Sequence, residues 1–221
     1  MNQRSIVVAA AAFSCLAVAP SARADGGSFQ VGARTGFTLP LGNISGDSGN
    51  GNGAAAFSDS DTGFIPFWLD AGYRINPNIY VGAYLQYGIG LVKGCTSGTT
   101  CSGADLSLGL TGEYHLLPLE SFDPWFGLGV GYELLGFTAS ANDGSGAHET
   151  GTDKGFQFLL QGGLDFAVTQ KLHLGPFLAL AVGKYNSGST SGTLSTGSGD
   201  IMTTSVHELV TIGVRGTFNL F

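Results

Sequence analysis

Charged residues are scarce in this sequence. They make up 11% of 221 residues, and 9 Lys and Arg face 16 Asp and Glu. An acidic chain without a basic patch has nothing to offer nucleic-acid phosphates, so nucleic acid is excluded as a partner. Cysteine is scarce too. There are three, and only Cys95 and Cys101 lie beyond the N-terminal stretch that holds Cys15. A C-x5-C pair with no further Cys and no nearby His is a poor zinc signal. No EF-hand spacing occurs among the acids. The apolar run Ile6–Ala19 falls short of the roughly 20 residues that a spanning helix needs.

That run reads instead as the core of a secretion signal. Arg4 precedes it, and Ala22-Arg23-Ala24 supplies a small-x-small cleavage site before Asp25. Bulky Phe13 makes the residues before Cys15 a poor lipidation site. Residues 1–24 are therefore expected to be a cleaved signal peptide, and 25–221 a single domain. Losing Arg4 and Arg23 takes the formal charge from −7 to −9. In an exported chain, Cys95 and Cys101 are expected to form one disulfide across a small Gly/Ser/Thr loop.

Glycine is abundant, at 37 residues, and much of it lies inside alternating segments. The stretch Ile65–Leu91 sets the pattern. Ile65, Phe67, Leu69, Ala71, Tyr73 and Ile75 form one apolar row, opposed by Trp68, Asp70, Gly72 and Arg74. Asn76-Pro77-Asn78 turns the chain, and Ile79 to Leu91 takes up the row again. Strand side chains alternate faces, so each arm has one apolar and one small or polar face. Arms this long match strands that cross a bilayer at a tilt, for which about 9–11 residues suffice. Interior glycines suit a narrow barrel, where close approach is required.

The same pattern recurs at about 28–39, 104–116, 124–139, 156–168, 172–185 and 202–221. Polar stretches at 42–63, 93–103, 140–155 and 186–200 read as long loops. The connections at 76–78, 117–123 and 169–171 are short. This predicts an all-β fold, an eight-stranded antiparallel transmembrane β-barrel with long outer loops and short periplasmic turns. A soluble barrel such as a lipocalin would turn its apolar row inward instead. Pro176 sits awkwardly on the outward row, near the periplasmic end, where a bulge would be tolerable. Phe221 falls on the inward parity of the last strand.

Inward-facing charges are expected to form a polar plug, with Arg34, Arg74 and Arg215 neutralised by Asp70, Glu113, Glu133 and Asp165. A narrow, porin-like channel for ions or small hydrophobic molecules is the alternative, with inward Trp68, Tyr80 and Tyr84 as a possible ligand box. Ser205 and His207 share a face of the last strand, and Glu133 or Glu208 could orient the ring, which is the starting kit for a nucleophile. The expectation is nonetheless no enzyme, no cofactor and no metal site. Acids in the loops (Asp47, Asp59 and Asp61; Asp143, Glu149 and Asp153) could hold Ca²⁺ but read first as solvated carboxylates. Aromatic belts are expected near the short turns (Tyr73, Tyr80, Trp125, Phe126, Phe218) and near the loops (Phe37, Phe64, Phe67, Tyr87, Tyr132, Phe137, Phe156, Tyr185).

The signal peptide, the alternating strands and the terminal Asn219-Leu220-Phe221 resemble the small outer-membrane β-barrel proteins of Gram-negative bacteria, in the manner of the OmpX, OmpA-barrel and OmpW families. The resemblance is architectural and spans residues 28–221. It implies a bacterial outer-membrane location and a surface-interaction or structural role through four outer loops. It also implies a monomer among outer-membrane lipid and lipopolysaccharide, and Phe221 as the C-terminal signal read by the barrel-assembly machinery. The peptidoglycan-binding domain of the OmpA family is expected to be absent.

Overall fold

Period-two alternation of apolar and small or polar residues dictates strands, and strands they are. In a computed structural model, the described residues are 27–47, 52–56, 61–93, 95, 97–193, 196–201 and 205–220. They form β1 (Ser28–Asp47), β2 (Asn52–Ala56), β3 (Asp61–Asn76), β4 (Ile79–Val92), β5 (Thr99–His115), β6 (Phe122–Ala141), β7 (His148–Ala167), β8 (Leu172–Gly192), β9 (Thr196–Asp200) and β10 (Val206–Asn219). The signal peptide expected at 1–24, Met202–Thr204 and Phe221 lie outside the described residues.

Every described pairing is antiparallel. It runs β1–β3–β4–β5–β6–β7–β8–β10, and β10 returns to β1 from Gln30↔Asn219 to Gly42↔His207. The sheet is thus closed on itself, an all-β barrel, with β2 attached to β1 and β9 to β8. Closure leaves no sheet edge in this ring.

The two faces carry opposite chemistry. Leu85 is 47% exposed and Phe158 70% exposed on the outer wall, whereas Glu113 and Asp165 are 3% and 1% exposed inside. Interior glycines make room for rings laid flat against the wall. A Cβ at Gly82 would come within 2.6 Å of the Tyr80 ring, and one at Gly109 within 2.7 Å of the Tyr84 ring.

Two expectations need correcting. The polar stretches read as loops are largely strand: β1 continues to Asp47, β5 begins at Thr99, β7 begins at His148 and β8 continues to Gly192. A ladder needs only backbone groups, and Ser, Thr and Gly supply them without apolar alternation. The threonine hydroxyls of Thr138 and Thr150 meet across β6 and β7 at 3.3 Å. Pro176 causes no bulge. The β7–β8 register is the same on both sides of it, but the rungs from Leu164 and Asp165 are missing, while the β10 side stays continuous. Finally, Phe64, Tyr80, Trp125 and Tyr185 belong to the interior rather than to surface belts. Their strand parity sends them inward, whatever their height along the barrel.

Candidate functional site

The interior is built in layers. Parity turns Arg34 of β1 and Arg215 of β10 inward, and the register sets them directly opposite each other. Like charges so placed repel. Three carboxylates from β3, β5 and β7 offset this. Asp70 grips Arg34 in a two-bond fork, Nε to Oδ2 and Nη2 to Oδ1, both 2.7 Å. Asp165 grips Arg215 likewise at 3.1 and 2.9 Å. Glu113 lies between them, accepting from Arg215 Nη1 at 2.9 and 3.1 Å and from Arg34 Nη2 at 3.2 Å. Gln161 accepts from Arg34 at 2.5 Å and donates to Thr111 at 2.8 Å. The Arg215 guanidinium lies 3.6 Å above the Trp125 ring, a favourable cation–π geometry. Charges this deeply buried persist only because they are paired and hydrogen-bonded.

Arg74 does not join this carboxylate cluster. It lies toward the β3–β4 turn, donates to Gln30 Oε1 at 2.6 Å and to the Pro77 carbonyl at 2.9 Å, and meets His115. His115 Nδ1 is in turn 2.7 Å from Asp123. Asp123, placed by the sequence pattern in a connection, is instead a buried residue of β6 whose other oxygen accepts the Leu117 N–H.

Above the arginines comes an aromatic layer. Trp68 stacks on Tyr84 at 5.6 Å and meets Phe177 edge-on at 6.0 Å. Trp68, Tyr80 and Tyr84, expected as a possible ligand box, are each buried against their neighbours.

Higher still lies a second polar group. Glu133, expected among the arginines, stands near the opposite end of the interior. Its Oε1 accepts from the Tyr185 hydroxyl, and its Oε2 is 2.9 Å from His207 Nε2. Tyr185 and His207 stack at 4.2 Å. Asp105, also fully buried, accepts from Gln86 at 3.0 Å, and among the described residues its Oδ1 has no partner. Of the two acids that could orient His207, Glu133 is the one in contact. Ser205 precedes the first residue of β10.

The remaining candidates scatter. Cys95 and Cys101 are joined in a disulfide with Cα atoms 6.1 Å apart. Asp59 lies outside the described residues, as do the side chains of Asp47 and Asp61. Asp143, in the β6–β7 turn, accepts the Ser145 N–H at 2.9 Å, and hydrogen bonds from Ser145 hold its carboxyl below the usual range. Among the described residues no group of three or more His, Cys, Asp or Glu is placed to hold a metal ion.

Parity carries the signal for the buried charges. It does not reveal which of them meet, because strand tilt and stagger set the level of each. Gln161 escapes a sequence-based reading of the site for that reason, Asp123 because it reads as part of a connection, and Tyr185 because its nearness to a polar stretch suggests a surface belt.

No protein-family model matches the chain, and no curated protein matches it. Solved structures do. A major outer membrane protein from Thermus thermophilus is 12% identical with a TM-score of 0.58, over 87% of this chain and 98% of that one. The outer membrane protein AlkL, solved in lipid bilayers, is 18% identical with a TM-score of 0.52, over 91% of this chain and 95% of that one. The likeness is one of fold: an antiparallel barrel of the kind found in outer-membrane proteins.

Proposed function

We propose that this chain is an eight-stranded integral outer-membrane barrel with a plugged interior, and that it serves envelope structure or surface interaction through its outer strand ends and turns. The observation that carries this reading is the inversion of the wall. Large apolar side chains cover the outside, while two forked Arg–carboxylate pairs are sealed within. In water that arrangement would be unfavourable. Hydrocarbon favours it, because the apolar wall meets lipid while the antiparallel ring pairs its strands with one another and presents no open edge. Its partners on this reading are the surrounding lipid, lipopolysaccharide included, and the barrel-assembly machinery, with Phe221 as the assembly signal.

A passage for small hydrophobic molecules is the weaker reading, since Trp68, Tyr84 and Phe177 occupy the axis such a path would need. The reading is tested by membrane fractionation combined with gel migration before and after boiling. The folded protein should partition with the outer membrane and change its mobility on heating. Recovery in the soluble fraction with no change in mobility would overturn it.

A further inference from the structure

We propose a binding site for an acylated lipid with a net anionic phosphate head on the outer wall, with Lys154 and Lys184 holding the phosphate and an apolar groove below them holding an acyl chain. The site rests on the outer-membrane reading and gives it a specific ligand class.

The wall can be read rung by rung from the pairing of β5 to β8. One rung is Gly112–Leu128–Leu160–Leu180, and the next is Leu110–Val130–Phe158–Val182. Together they line a groove of about 530 Å³. Gly112 falls on the outward row, and a Cβ there would meet only the Tyr80 carbonyl oxygen, at 3.8 Å. The wall therefore lacks a side chain where its neighbours project Leu and Phe. Two rungs of Leu, Val and Phe around that gap suit a hydrocarbon chain.

The following rung is Leu108–Tyr132–Phe156–Lys184, and the one after it places Lys154 beside Leu134. Lys154 and Lys184 both lie on outward positions of neighbouring strands. Diagonal neighbours of this kind are about 7–8 Å apart, close enough for two ammonium groups to share one phosphate. Among the described residues neither lysine forms an ion pair. Arg34 and Arg215 are buried inside, and Lys171 lies at the opposite end, beside the Leu220 carbonyl. Glu208, the acid on the adjacent row of β10, has its carboxylate beside Gly42 of β1. Two cations without an ion pair among the described residues, at the upper margin of an apolar band and with a groove leading down from them, match an amphiphile with an anionic head. Phe156, packed edge-on against Tyr132 at 5.1 Å, stands where the head meets the chain.

The test uses the folded full chain in nanodiscs of phosphatidylcholine doped with diphosphoryl lipid A, with bound lipid counted by native mass spectrometry. The wild type should retain lipid A and should discriminate against its dephosphorylated form. Lys154→Ala with Lys184→Ala should weaken retention about 10- to 30-fold, given the usual contribution of each basic residue near an anionic lipid surface. The paired Arg substitutions should preserve it. Gly112→Leu, which fills the groove and leaves the charge alone, should also weaken it, whereas Lys171→Ala should not. Equal retention by the double Ala variant, or equal retention of dephosphorylated lipid A, would overturn the site while leaving the membrane reading intact. Failure of the chain to enter nanodiscs at all would overturn both.

Discussion

At the scale of single residues, the interior depends on Glu113. Among the described residues it is the one carboxylate that bonds both guanidinium groups, which the register forces to face each other. Removing its charge leaves Arg34 and Arg215 each with one carboxylate and with their repulsion unshielded. Glu113→Gln should therefore cost about 3–5 kcal/mol of unfolding free energy, measured by denaturant titration in detergent. Among the described residues Asp105 is the contrasting case, a buried carboxylate with no cationic partner. Asp105→Asn keeps the bond from Gln86 and removes an uncompensated charge, so the same titration should show no loss, or a gain. The glycines matter at this scale too. A Cβ at Gly131 would collide with the Tyr84 hydroxyl. Gly131→Ala should cost about 1–3 kcal/mol, and markedly less in a Tyr84→Phe background. Additive effects would mean that the hydroxyl is not the obstacle.

At the scale of elements, the strands outrun their apolar patterning. The 142–147 turn and Thr150–Asp153 lie in one continuous polar stretch of sequence, yet only the second is strand. Asp153 adds a pH dependence. Partial burial raises its carboxyl above the usual value, so the fold favours the protonated form. The resulting penalty is absent below the ordinary carboxylate range and grows as pH rises through it. Asp153→Asn should then raise the thermal midpoint at pH 7 and leave it unchanged at pH 3.

The same stretch shows how far the sequence is legible. Where one strand face meets an apolar surrounding, as in Phe156–Phe166, alternation is imposed and can be read. Where neither face meets an apolar surrounding, as in His148–Lys154, nothing imposes it, and strand looks like loop. Parity likewise exposes Arg34, Asp70, Glu113, Asp165 and Arg215 as inward residues. It is silent on height, so it groups Arg74 and Glu133 with carboxylates and arginines they do not touch. Which inward side chains are level is decided by the tilt of the closed sheet, a property of the whole ring rather than of any one strand.

At the scale of the whole molecule, the layers act in series: forked arginines, a stacked aromatic tier, then the Glu133–Tyr185–His207 group. Ions would have to displace all three. The purified protein in a planar bilayer should therefore show no large steady conductance, and stable nanosiemens steps would contradict the plug.

The pairing of β1 with β10 also bears on timing. Gln30 must meet Asn219, so β1 finds its second neighbour only in β10, after eight intervening strands. Loop-closure entropy makes so distant a meeting slow. Until it occurs, the first hairpin exposes a row of unsatisfied amides to any passing chain. An unfinished or shortened polypeptide would stay an open ribbon, prone to aggregation, and quality control would see a gap where the finished ring has none.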